Sequence, residues 1–566
     1  MEPITSFNLE EYAKRSFNYY TRMVDKDNLP YFNIFWTEPA EAAHDWPDFG
    51  DVMTRQIQGI VCARKMTGIV AEIEDIWYKK ALGYINPDTG LLRRPDISYV
   101  QGEHKGENAG DQALTFYALV TAYVDNPSEE RKKVIEKMAA GMASFSDKQL
   151  LEAGGFALKG LMSAVRYVGL TDALKTAIKI VDKTMNEAKF FSPDNNFKHK
   201  GHMHGNLHIL MGLADYALYM NDPVLFSRVA AILRYVKSIS TSFGFIAEEV
   251  GRKDDILLCE TCTLMDYMAL FVTMANHGHP EYWNDAERLL RNQLAESQFR
   301  ENSFIKSDNS KEDTYQFSWR DIGERMIGAY AGWSSPTHFL GAPEPLIYWG
   351  GPELQGKTRL FQNCCGGSGT VGYYIAWKNA VEWKNETFYV HIHIDKLTPW
   401  AEVRCLQPYR GETSVALKKD CSLKIRIPDF ALGQEIGITV NGQKKEFVVW
   451  GNYLELAKLS AGDEIKFTYP LDIVVEDFAL EAPSKRKYNY KIEWKGDTVI
   501  NMEPVGEQYK TGYSQVEKKD IPVYYGKDGP GPLYQREHMR KDTTPTPADL
   551  TLDDGKMNFW RDLNTK

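Results

Sequence analysis

Along the first three hundred residues, apolar positions recur at intervals of three and four, the period of helices that bury one face. The stretches 49–66, 109–124, 154–168, 207–219, 223–238 and 261–275 carry it most clearly. Between them lie segments such as Asn86-Pro87-Asp88-Thr89-Gly90 and Ser192-Pro193-Asp194-Asn195-Asn196, which are turn formers. Successive helical pairs without a repeated motif predict a closed (α/α)6 toroid, because a solenoid would repeat at a fixed period.

After about residue 385 the period changes from helical to alternating. Residues 388–394, 422–427, 436–440 and 464–469 read as strands, and Asn441-Gly442 between two apolar runs is a hairpin turn. The predicted architecture is therefore multidomain α plus β. A catalytic (α/α)6 barrel spans 1–384, a β-sandwich spans 385–525, and residues 526–566, rich in Gly, Pro and charge, form an extended C-terminal arm, packed back on the body or partly disordered.

Composition narrows the class without naming a function. With 566 residues, 43% hydrophobic and 25% charged, the chain is too long for one core. A net charge of -10 with scattered lysines and arginines leaves no basic stripe for a phosphate backbone, so nucleic acid is excluded as the expected partner. No run approaches the ~20 apolar residues of a membrane span, and residues 1–20 lack the apolar core of a signal peptide. The expected compartment is the cytoplasm by default, or the periplasm or exterior where a signal peptide has been removed. Aromatic residues make up 12%, which suits sugar stacking but equally suits a core.

The cysteines carry more information. Seven in so long a chain are no disulfide scaffold, yet four fall into two groups, Cys259-Glu260-Thr261-Cys262 and Asn363-Cys364-Cys365-Gly366-Gly367, each ahead of a helical stretch. Thiolates and carboxylates are both zinc ligands, and ligands at the entrances of two distant helices can converge within a helical ring. Glu260 and Cys262 are two apart and share no helix face, so they fit the turn leading into a helix. Residue types alone leave other readings: a closed site of Cys259, Cys262, Cys364 and Cys365, a vicinal disulfide at 364–365, or plain buried cysteines.

Glu-Thr-Cys at 260–262 followed about a hundred residues later by Cys-Cys resembles the β-L-arabinofuranosidases of glycoside hydrolase family 127. The similarity continues through Leu423-Lys424-Ile425-Arg426-Ile427-Pro428, Val440-Asn441-Gly442, Tyr453-Leu454-Glu455-Leu456 and Ala461-Gly462-Asp463, and covers roughly residues 200–470. It implies a Zn2+ held by Glu260, Cys262, Cys364 and Cys365, with Cys364 also the nucleophile of a retaining exo-glycosidase. It implies too that a glutamate shortly upstream is the acid and base, here Glu248 or Glu249, and that His204 lines the sugar pocket. The prolines that follow the family's cysteine pair are here Gly366-Gly367-Ser368-Gly369, which marks a distant branch.

Further candidates for binding substrate are His104, Gln112, Trp46 and Asp48. Asp48 could equally cap the helix that follows. The expected partner is an oligosaccharide or glycoside, with no membrane, and a homodimer is allowed. Two other readings share the fold or the metal: a toroid lyase, unsaturated uronide hydrolase or epimerase working through His, Tyr or Asp, and a non-catalytic sugar-binding protein with structural zinc.

Overall fold

In the computed structural model of the chain the described residues are 6–36, 39–44, 49–96, 106–197, 201–250, 258–332, 334–339, 358–482, 485, 487–505 and 531–556; of 36, 249, 250 and 358–362 only the backbone is described. Six helices form a closed inner ring: α2 (Thr54–Thr67), α4 (Ala109–Asp125), α6 (Asp147–Ser163), α8 (Met203–Met220), α10 (Thr261–Asn276) and α13 (Cys364–Asn379). Each packs on the next, and α13 returns to α2. Outside them lie α1 (Leu9–Arg22), α3 (Glu72–Gly83), α5 (Glu129–Ala143), α7 (Asp172–Asp182), α9 (Pro223–Ser238) and α11 (Tyr282–Leu289), with a short α12 (Ile322–Met326) before α13.

Residue pattern explains which helix stands where. On α7 the buried residues are Ala173, Thr176, Ala177 and Ile180, one stripe at helical spacing with a solvated back. By contrast Thr261 to Ala275 of α10 and every residue of α13 are buried. Residues 261–275 therefore differ from the amphipathic reading of the sequence: the helix is apolar nearly all round because neighbours cover every side. Caps set the helix starts. Asp222 accepts from Leu225 N just ahead of Pro223, and Ser146 with Gln149 forms a capping box at α6.

The glycines after Cys365 belong to this packing. A Cβ on Gly367 would overlap the backbone carbonyl of Arg55 on α2, and one on Gly369 would overlap the ring of Tyr330. Side chains there would push α13 off α2 and displace the cysteines at its head.

Beyond Ala380 the regular structure of the described chain is nearly all strand. A five-stranded sheet runs Val448–Trp450, Tyr453–Leu459, Cys421–Arg426, Thr387–Val390, Val381–Lys384. Facing it is a six-stranded sheet in the order Gln443–Lys444, Gly437–Val440, Glu464–Thr468, Glu412–Leu417, Ala401–Cys405, Lys396–Leu397. Alternate residues such as Leu423, Ile425, Val415 and Phe467 fill the space between them, as a sandwich requires. Asn441 and Gly442 take φ of 51° and 78° with Val440 opposite Gln443, so the hairpin expected at Asn-Gly forms. A third sheet joins Ile473–Glu481, Lys487–Lys495 and Thr498–Glu503.

The sandwich is fastened to the ring by a buried charge network. Glu287 of α11 accepts from Arg291 at 2.7 Å and pairs with Arg426 of the five-stranded sheet, and all three are at most 1% exposed. Lost hydration of these charges is offset only because each keeps partners. No helix among the described residues is long and apolar enough to cross a membrane.

Candidate active site

Helix starts converge at one end of the ring. Glu260 is the residue before α10, in extended conformation (φ -91°, ψ 133°), and Cys262 lies in that helix's first turn. Cys364 and Cys365 open α13, following the strand Thr358–Gln362 and Asn363. Their sulfurs and the Glu260 carboxylate all lie within 4.8 Å of one another, and all four residues are buried. Cys262 and Cys365 are 3.6 Å apart, sulfur to sulfur, and Glu260 Oε1 accepts from Cys364 at 3.4 Å and Cys365 at 3.8 Å. The positive ends of two helices thus face a cluster that is anionic when its thiols ionise, an arrangement that favours that charge.

Electrostatics distinguish the sulfurs. Burial acts to raise Cys365, but hydrogen bonds from Cys262 and Cys364 overcome it and bring the thiol down to about 6. Its two partners move the other way: burial raises Cys262, while hydrogen bonds with Cys262 and Cys365 raise Cys364. One thiolate is therefore stabilised by two thiols even with protein groups alone. Three sulfurs and one carboxylate fit a divalent cation of borderline softness in both number and type.

Cys259 stands apart. It is buried, its sulfur sits 3.9 Å from the Glu260 carbonyl, and it is absent from the ligand group, so the four-thiolate arrangement does not form. Nor does the vicinal disulfide, since all seven cysteines are free. Substitution is expected to separate their roles. Glu260→Gln should lower metal retention on dialysis against a chelator by about 10- to 100-fold, the usual range for a ligand's close partners or more, while Cys259→Ala leaves it unchanged. Elemental analysis after dialysis reads both.

Beside this group lies a second carboxylate. Glu248 Oε2 accepts from Thr263 Oγ1 at 2.7 Å, and Glu248 Oε1 is 2.9 Å from His202 Nε2. The same imidazole nitrogen is 3.3 Å from Glu260 Oε2, so His202 bridges the two glutamates. Local backbone fixes the arrangement: Glu248 N donates to Leu258 O, and Met203 N donates to Glu248 O, both at 2.7 Å. Burial first and the charge of Glu260 second push Glu248 up to about 8. Burial also acts to raise Glu260, but the hydrogen bond from His202 and the charge of that imidazole hold it well below the usual carboxylate range. Two neighbouring carboxyls are thereby driven apart, one keeping its proton at neutral pH and the other losing it. His202 keeps 53% of its side chain accessible, whereas Glu248 and Glu260 keep 6% and 4%. Although burial disfavours its charge, the two glutamates raise it well above the ordinary histidine value.

Below this lies a brace. Arg55 of α2 donates through Nη2 to His204 Nε2 at 2.7 Å, through Nη1 to Ser368 Oγ at 3.2 Å, and pairs with Asp51. Guanidinium groups only donate, so His204 Nε2 must be the acceptor and Nδ1 carries the hydrogen, which goes to Asp266. His208 Nδ1 meets the other Asp266 oxygen at 3.0 Å. The ligand atoms of His204, His208 and Asp266 also lie within 4.8 Å of each other, but His204 has no lone pair left for a cation. The group is a hydrogen-bonded brace that ties α2, α8, α10 and α13 together.

Among the residues singled out in the sequence, the structure unites Glu260, Cys262, Cys364, Cys365 and Glu248. His204 is nearby, with both ring nitrogens engaged internally. Gln112 is corrected. Its amide oxygen accepts from Leu92 N at 2.7 Å and its nitrogen donates to the Leu92 and Asn108 carbonyls, so it clamps backbone and is 0% exposed. Glu249 is in the two-residue strand Glu249–Val250 opposite His202, its side chain outside the described residues. Trp46, Asp48 and His104 also fall outside them. Sequence reasoning missed His202, Thr263, Arg55 and Asp266. Spacing held signals for two of these, since Asp266 is four residues after Cys262, and His204 and His208 are four apart beside His202.

Three solved structures that match over most of the chain are described as a glycoside hydrolase or as arabinofuranosidases. A GH127 β-L-arabinofuranosidase from Geobacillus stearothermophilus T6 matches 86% of this chain and 80% of its own, at 14% identity and a TM-score of 0.54. The chain has the fold of that enzyme. A protein described as a glycoside hydrolase matches with 15% identity, 88% and 81% coverage and a TM-score of 0.60. A GH127 β-arabinofuranosidase matches with 15% identity, 87% and 81% coverage and a TM-score of 0.57. No family model and no curated protein sequence matches the chain.

Proposed function

We propose that the protein is a retaining exo-glycoside hydrolase acting on arabinofuranoside-like sugars, with Zn2+ held by Glu260, Cys262, Cys364 and Cys365. The observation that carries this reading is the pairing of a three-sulfur, one-carboxylate group with a buried, proton-holding carboxyl, Glu248, through one imidazole. A bound divalent cation would keep the cysteine sulfurs ionised at neutral pH. Cys364 is the sulfur assigned to attack, the role that the resemblance to family 127 implies for it, and it opens α13 beside Glu260.

The protein's own groups then divide the reaction. Cys364 sulfur forms a bond to the anomeric carbon as the bond to the leaving oxygen breaks, and the Glu248 carboxyl gives its proton to that oxygen. Afterwards the Glu248 carboxylate takes a proton from water, whose oxygen displaces the sulfur. Two inversions leave the anomeric configuration retained. Thr263 and His202 hold the Glu248 carboxyl, and the Arg55 brace fixes the helix heads that carry the sulfurs.

A panel of nitrophenyl glycosides and plant-wall oligosaccharides, assayed alongside elemental analysis, tests the reading. Hydrolysis of β-arabinofuranosides by protein carrying one zinc per chain is the expected outcome. Turnover confined to unsaturated uronides, undiminished by chelation, would overturn it in favour of another toroid chemistry.

A further inference from the structure

Residues 531–556 reach the metal-binding turn from behind, although they are nearly three hundred residues away in sequence. Leu533 N donates to Thr337 O at 2.9 Å and Phe339 N to Gly531 O at 3.0 Å, so this segment pairs with residues 337–339. Just before that pairing, Ser334 makes a two-way backbone bridge with Cys259: Cys259 N donates to Ser334 O at 2.8 Å, and Ser334 N to Cys259 O at 3.0 Å. Glu260 is the next residue. Ala331, three residues ahead of Ser334, accepts from Thr261 Oγ1 at 2.7 Å, and the Gly332 carbonyl lies 3.9 Å from Cys365 sulfur. Ala331, Gly332 and Ser334 thus back the ligand group.

One side chain links the C-terminal segment to these residues. Tyr534 Oη donates to Gln293 Oε1 at 2.8 Å, and Gln293 Nε2 donates to Ser334 Oγ at 3.0 Å. Tyr534 and Gln293 are 0% exposed and Ser334 is 1% exposed, so solvent cannot substitute for a lost partner. Tyr534 also holds φ at 62°, left-handed backbone that a bulky residue adopts only when its surroundings enforce it. Those surroundings are visible: Tyr534 N donates to Glu296 Oε2 at 2.8 Å, Arg536 two residues on pairs with Glu296, and the ring meets Phe243 edge-on at 5.8 Å. Plain packing would need neither the hydroxyl nor the unusual backbone.

We infer that Tyr534 is a positioning residue for the metal group, holding the turn before Glu260 through Gln293 and Ser334. The inference rests on the proposal that Glu260, Cys262, Cys364 and Cys365 bind zinc. Its consequence is that retention of the ion depends on the C-terminal segment.

Tyr534→Phe keeps the ring and removes only the hydroxyl. Zinc transfer from the full-length protein to a chromogenic chelator should quicken about tenfold, the lower end for losing an outer partner of a metal ligand. Asp542→Asn cuts the Lys495 ion pair elsewhere on the segment, at a site 82% exposed on the aspartate side, and should leave transfer unchanged. Hydrogen exchange supplies a readout that needs no metal: peptides covering 258–263 should exchange faster in Tyr534→Phe than in wild type. Equal transfer and equal exchange in Tyr534→Phe and wild type would overturn the inference, as would an equal change in both variants. A wild-type protein that takes up no zinc, with faster exchange in Tyr534→Phe, would sink the metal reading while sustaining the link from Tyr534 to the turn.

Discussion

Cys364→Ser is expected to fold, to keep its helical signal, and to lose activity by a factor on the order of 10⁴ to 10⁶, the scale seen when a nucleophile acting as part of a unit is removed. The physical reason lies in what serine cannot do. Its hydroxyl is far less acidic than a thiol, so at neutral pH the position no longer presents an ionised nucleophile. The substitution also exchanges a sulfur that contacts Glu260 at 3.4 Å for a smaller atom at the head of a fully buried helix. Turnover is read on the best substrate from the glycoside panel, with circular dichroism as the folding control. Near-normal turnover would remove Cys364 from the chemistry and leave the cluster as a structural staple.

Glu248→Gln should depress turnover by about 10²- to 10⁴-fold on substrates with poor leaving groups, the usual contribution of a general acid. On dinitrophenyl glycosides, whose leaving oxygen departs without a proton, bond cleavage should be much less affected. Its pH dependence follows from the direction of the shift. Burial and the neighbouring charge of Glu260 raise Glu248 to about 8, so its carboxyl is protonated at neutral pH, and the acid function is lost as pH climbs through that value. The wild-type kcat/KM profile should therefore fall on an alkaline limb near 8, and Glu248→Gln should lack that limb. For stability the sign follows too: a carboxyl raised in the fold destabilises the native state as pH rises above the unfolded value near 4.3, because ionisation is easier in the open chain. Equal losses on good and poor leaving groups would mean that Glu248 is not the acid.

The toroid was legible because helices such as α4, α8 and α9 fall where apolar positions recur at helical spacing, and the sandwich because alternation and Asn-Gly announce strands and a turn. Residues 261–275 show the limit. An apolar stretch at helical spacing does not reveal whether one side or all sides are covered, and here the neighbours cover all of them. Glu260, Cys262, Cys364 and Cys365 lie together as the resemblance to family 127 implies, whereas residue types alone left a four-thiolate group with Cys259 open. Gln112 was misread: a polar residue at a helix start can serve a ligand or a backbone loop, and only the position of Leu92 decides which. The groups that tune the site were the least visible. His202 acquires its role through contact with Glu248 and Glu260, 46 and 58 residues away, and Arg55 meets His204 across 149 residues. Such pairings follow from ring closure, which no local pattern encodes.

Peptide mapping by mass spectrometry, after incubation with a cyclophellitol-type analogue of the preferred sugar, addresses the covalent step itself. The expected result is one adduct per chain, on the peptide containing Cys364, with loss of activity proportional to labelling. An adduct on a carboxylate such as Glu248, or complete inactivation with Cys364 unmodified, would contradict the assignment of Cys364 as the nucleophile.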